Sequence, residues 1–313
     1  TAFLKSPFEL NEMNSPTVSK GIQYIIDCQQ DDGGIYIDEM KTYSTSIGLM
    51  ALVATNSSFY EMEIRRAREF LASLQMREDK GYASANIYYG GMGYEEKGRS
   101  DLSNMMWALE AYRESENYQK SVEAFKETID DKSEKNYAAK SSEDKVFWEN
   151  AILFIERCQN YSKTNDMEWA GDDGGFVYSP SESKAGEFTS YGSMTYAGMK
   201  SFIYAGVDKD DPRVQAAYQW IRNNYTLENN PQMGEQGLYY YYHTMSKALA
   251  VYGADTLQSV DGVNHNWKKE LIEKLITIQD GEGFWQNKNN RWWENNRDLV
   301  TAYTILAMIN ALE

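Results

Sequence analysis

Asp101, Glu187, His243 and Asp298 each stand where an apolar, helix-forming pattern begins: "SDLSNMMWALEAY", "GEFTSYGSMTYAGMKSF", "YYHTMSKALAVYG" and "RDLVTAYTILAMINAL". The first turn of a helix leaves its backbone N–H groups unpaired and carries the positive end of the dipole. Acids placed there can exchange protons with a ligand, and a neutral imidazole can accept a proton, hydrogen-bond or bind a metal. Tyr239, Tyr240, Tyr241 and Tyr242 run directly into His243, and Trp292 and Trp293 precede Asp298. Aromatic walls with a few convergent polar groups describe a pocket for a hydrophobic or cationic small molecule. The same features also describe helix caps over an aromatic core. The four polar residues are the candidate catalytic groups and the six aromatics the candidate ligand contacts. Glu187 and His243 are expected to meet across neighbouring helices as the polar centre, without tightly bound zinc, and no cofactor is expected.

The elements that must position these residues follow from a repeat. Five segments share one punctuation, a glutamine followed by polar residues, glycine and an aromatic: "CQQDDGGIY", "LQMREDKGY", "CQNYSKTNDMEWAGDDGGFVY", "NPQMGEQGLYY" and "IQDGEGFW". Glycine allows the left-handed backbone of a tight turn. Before the markers lie one-sided helices, such as "DPRVQAAYQWIRNNYT", where Val214, Ala217, Tyr218 and Ile221 share one face. After them come helices apolar nearly all round, which must be buried on every side. Alternation of the two kinds predicts an all-α fold, an α/α toroid of about six helix pairs. Its outer helices are expected at 62–75, 144–158, 212–225 and 267–279, and its inner helices at 45–54, 101–113, 189–205, 240–252 and 298–312. "TAFLKSP" reads as the tail of an inner helix of an incomplete first pair. Residues 1–313 are expected to form one domain with a polar insertion around 115–145, including a short helix near 122–129.

Composition narrows the partners. A formal charge of -16 lacks the basic footprint that nucleic acid or an anionic membrane surface requires. No run of 18 apolar residues exists, so no membrane span is expected. No leader is visible, though an exported chain whose leader had been removed would read the same. Cys28 and Cys158 lie far apart without CxxC spacing and read as buried structural thiols. Oligomeric state is left open by the sequence.

The punctuation, with "DDGGF" and "DPRVQAAYQWIRNNYT", resembles the prenyltransferase and squalene-cyclase repeat over almost the whole chain. That resemblance implies a toroid whose central funnel holds an isoprenoid-like ligand. The motifs that carry chemistry in such proteins are altered here. "DKDD", Asp208–Asp211, precedes an outer helix, where it reads as a turn and cap rather than an alkene-protonating acid. His243 matches the zinc-ligating histidine of protein prenyltransferases, but Glu187 and Thr189 stand where aspartate and cysteine would be expected. In thioester proteins, also α/α toroids, cysteine precedes Gly-Glu-Gln; Met233 occupies that position here and cannot acylate. The expectation is therefore a terpene cyclase/prenyltransferase-like protein binding a hydrophobic ligand in an aromatic funnel. The alternatives are a noncatalytic ligand- or protein-binding toroid and a carbohydrate-active enzyme with paired carboxylates.

Overall fold

The structure, a computed structural model, describes residues 1–94, 98–127 and 137–313. The described residues fall into two compact units, Phe3–Phe154 and Ile155–Glu313. The first unit carries α1 (Pro16–Asp27), α2 (Lys41–Ala54), α3 (Glu61–Ser73), α4 (Leu102–Glu127) and most of α5 (Tyr137–Arg157). The second carries α6 (Gly192–Tyr204), α7 (Pro212–Asn224), α8 (Leu238–Tyr252), α9 (Trp267–Thr277) and α10 (Arg297–Leu312). The only strands among the described residues are a two-residue antiparallel pair, β1 (Leu257–Gln258) and β2 (Asn264–His265). The fold is all-α. No helix among the described residues is long and apolar enough to cross a membrane.

The two kinds of helix are both present. In α6 every residue except Ile203 is buried, whereas α7 buries Val214, Ala217, Trp220 and Ile221 along one stripe. Within the first unit α2 packs on α3 and α4; within the second α8 lies between α6 and α10, with α7 against α6 and α9 against α10.

The recurring glutamine has a physical task. At the end of α1, Gln29 Nε2 donates to the carbonyls of Gly33 and, in α3, Glu63. Gln75 Nε2 donates to Gly90 and, in α5, Phe147; Gln159 Nε2 donates to Gly174 and, in α7, Arg213. Each side-chain amide thus staples its glycine turn to the following one-sided helix, pairing carbonyls that burial would otherwise orphan. The glycines are required by space as well as by conformation. Gly33 has φ +93, and a Cβ there would come within 2.6 Å of the Arg66 carbonyl oxygen. The apolar residue after each glycine pair drops into the core: Phe176 is fully buried, and its N–H donates to Thr195 Oγ1 on α6, as Ile35 N–H does to Thr45 on α2. The acids of "DDGG" shape these turns, with Asp32 Oδ1 accepting from Gly34 N and Asp173 Oδ1 from Gly175 N.

Several expectations change. Residues 1–8 form turns, so "TAFLKSP" is not a helix tail, and α1 begins at Pro16 under a Ser15 cap. Residues 115–127 continue α4 rather than forming a separate helix. Ion pairs from Arg113 to Glu116 and Glu116 to Lys120 support that polar length, and no proline or glycine interrupts it. The rest of the expected 122–129 helix lies outside the described residues. Cys158 is buried, but Cys28 is only half-buried.

Candidate functional site

The four candidate polar groups do not share one setting. In the first unit Asp101, 3% exposed, sits directly before α4 and accepts from Asn104 N at 2.9 Å and Asn104 Nδ2 at 2.8 Å. It caps that helix. The other three belong to the second unit. His243, on α8, is buried, with its ring stacked on Tyr303 of α10 at 5.6 Å between centroids. Glu187 lies ahead of α6 in an exposed turn at φ +44, its carbonyl accepting from Ser183 N. Asp298 is exposed in the first turn of α10, where Asn296 provides the cap. Among the described residues no hydrogen bond or ion pair joins Glu187 to His243. The turn keeps Glu187 in solvent because Ser183 Oγ and Asn160 Nδ2 bind the carbonyls of Thr189 and Phe188, delaying the helix until Gly192.

The tyrosine run is mostly core. Tyr241 and Tyr242 are fully buried, and their hydroxyls donate to the Thr226 and Leu227 carbonyls at 2.8 and 2.6 Å. Tyr239 is buried edge-on against Tyr242. Burial pushes the Tyr239 phenol up to about 12 and those of Tyr241 and Tyr242 higher still, so all three stay protonated at neutral pH. Tyr240 is half-buried and meets Tyr303 edge-on at 6.0 Å. "DKDD" is a turn and cap: Asp211 Oδ1 accepts from Arg213 N at 2.9 Å, and Asp208 accepts from Asp210 N. In "MGEQG", Met233 is buried and its N–H donates to the Asn230 carbonyl, closing a turn.

What the sequence reading missed is Glu294. Gly237 precedes α8 in a left-handed conformation and offers no capping side chain. The carboxylate of Glu294, 1% exposed, takes that place from a distant segment: Oε1 accepts from Tyr240 N at 2.8 Å and Oε2 from Asn287 Nδ2 at 2.6 Å. Burial raises its pKa, and the amides of Tyr240, Tyr239 and Leu238 with the Asn287 side chain pull the other way. The missing cap at Gly237 was the available signal, since the first amides of a buried helix need an acceptor from somewhere.

Glu294 and Asn287 pin the ends of a corner that carries both candidate tryptophans. Asn287 Nδ2 also donates to the Glu235 carbonyl, and Arg291 bonds Gln236. Trp292 and Trp293 both have positive φ, +55 and +65. Left-handed backbone at bulky residues costs about 1–3 kcal/mol each and persists only where the surroundings hold it. Trp292 lies against Gly237, with Arg291 over its ring at 4.3 Å. Trp293 is 75% exposed. Among the described residues no group of three or more His, Cys, Asp and Glu side chains is placed to hold a metal ion.

No protein-family model matches the chain. Over 148 residues it is 26% identical to an NAD kinase of Finegoldia magna, a stretch covering 46% of this chain and 50% of that protein. The chain thus spans about half the length of this curated relative. This likeness, to a protein of another class, corrects the functional expectation drawn from sequence. The terpene cyclase/prenyltransferase-like protein with an isoprenoid-like ligand is set aside, as are the noncatalytic scaffold and the carbohydrate-active enzyme. The packing of Tyr239, Tyr241 and Tyr242 into the core agrees with this, because rings buried against one another do not present a wall to a ligand.

Proposed function

We propose that this chain binds a pyridine nucleotide and takes part in its phosphorylation. The observation that carries this reading is the 148-residue likeness to an NAD kinase. The geometry supports the ligand class through an exposed indole beside cationic side chains, in a chain otherwise strongly acidic. The test is direct. Purified chain is incubated with NAD+, ATP and magnesium, and NADP+ is followed by mass spectrometry. Protein-dependent NADP+ formation is expected; its absence with ATP and with inorganic polyphosphate as donors overturns the reading.

We read the repeated pairs as an α/α toroid of the prenyltransferase and squalene-cyclase repeat type, with "DDGGF"-like turns leading from each outer helix into the inner helix that follows. Glutamine staples at three turns and the alternation of buried and one-sided helices support that reading.

A further inference from the structure

We propose that the corner formed by residues 286–297 is the nucleotide site, with Trp293 as the stacking platform for the base and Arg291 and Lys288 as partners of the phosphates. The choice of ligand rests on the nucleotide reading above; the placement rests on three observations of its own. The indole of Trp293 is bare, 75% exposed, while its neighbour Trp292 is partly occupied by Gly237 and Arg291. The stretch "QNKNNRWWENNR" carries Lys288, Arg291 and Arg297 against one acid, in a chain of formal charge -16. That acid, Glu294, is buried under α8; Arg297 is ion-paired to Glu282 and the exposed Asp298 follows it, so the cations the corner offers to solvent are Lys288 and Arg291.

These features suit one ligand chemistry, an anion bearing a flat heteroaromatic ring. A base stacks on an exposed indole face whatever its identity, and a guanidinium offers paired donors to phosphate oxygens. Lys288 is exposed and makes no ion pair among the described residues. Arg291 is held by Gln236, which orients its guanidinium at the edge of the same turn. The corner is pinned at Glu294 and Asn287, so little ordering remains to oppose binding.

Fluorescence and calorimetric titrations of the full chain with AMP, NAD+ and inorganic phosphate test the assignment. AMP and NAD+ are expected to bind, with phosphate alone much weaker. Trp293→Ala should weaken AMP about tenfold or more with unchanged melting temperature, and Trp293→Tyr should restore most of it. Lys288→Ala and Arg291→Ala should weaken AMP but leave adenosine little changed. AMP affinity equal in Trp293→Ala and wild type overturns the site. The NADP+ assay separates the two proposals. NADP+ formation whose KM for NAD+ ignores Trp293→Ala keeps the kinase reading and removes this site. Trp293-dependent AMP binding without NADP+ formation keeps the site and removes the kinase reading.

Discussion

At the residue scale the most consequential side chain is Glu294. Its carboxyl sits above its ordinary value of 4.5 because burial penalises the charge, although the α8 amides and Asn287 favour it. An acid whose folded pKa is raised binds its proton more tightly in the folded chain than in the unfolded one. Its contribution to stability is therefore complete below the ordinary value and is lost as pH rises through the raised one. Glu294→Gln cannot titrate and turns an amide N–H₂ toward donors, so it should be less stable at every pH. The deficit should narrow as pH rises above its ordinary value of 4.5, measured by urea unfolding. A deficit that widens over that range would identify the carboxylate as the stabilising form. Asp166 behaves in the opposite sense: its hydrogen bonds to Arg157 lower its pKa, so what it contributes is present at neutral pH and lost on acidification.

At the element scale the glycine turns can be separated into conformation and space. Gly174 and Gly206 both have φ +83, yet a Cβ on Gly174 would press on the Ala216 carbonyl of α7, whereas nothing lies within 4 Å of one on Gly206. Both alanine variants carry the left-handed cost of about 1–2 kcal/mol. Gly174→Ala should lose about 1–3 kcal/mol more through overpacking, read as a difference in denaturation midpoint. Equal losses would mean that α7 yields freely. These turns also explain what sequence could show. Helix type was legible where burial imposed a single stripe, as in α7, or left no polar face, as in α6, and the glutamine marker announced each turn without revealing that it bonds forward into the one-sided helix after next. The length of α4 was hidden because its polar half is held by ion pairs, which leave no apolar period. Glu187 was misplaced because a run of small and aromatic residues resembles a helix start, while side-chain bonds to the Phe188 and Thr189 carbonyls keep it a turn. Of the candidate site, the tryptophans were visible, but Glu294 was masked by its polar neighbours.

At the scale of the whole molecule, a formal charge of -16 leaves the chain repelling polyanions, while one short segment runs against that field. A small anion that needs only the local cations can be accepted there, whereas an extended polyanion would meet the surrounding acids. The glutamine staples differ along the chain too, and this has a consequence for amide hydrogen exchange. Gln75 and Gln159 are fully buried and each holds two carbonyls; Gln29 also holds two but is half-buried; Gln279 is exposed, and its side chain donates among the described residues to Gly283 alone. A turn opens locally at a free energy set by the contacts it must break. Deuterium uptake should therefore be slow over 75–91 and 158–176, intermediate over 28–36 and fast over 279–285, with the reverse order ruling the staples out as the controlling contacts. The same motif written repeatedly along the chain would then act as a set of clocks running at different rates, each timed by how many carbonyls its glutamine holds and how far water is kept from it.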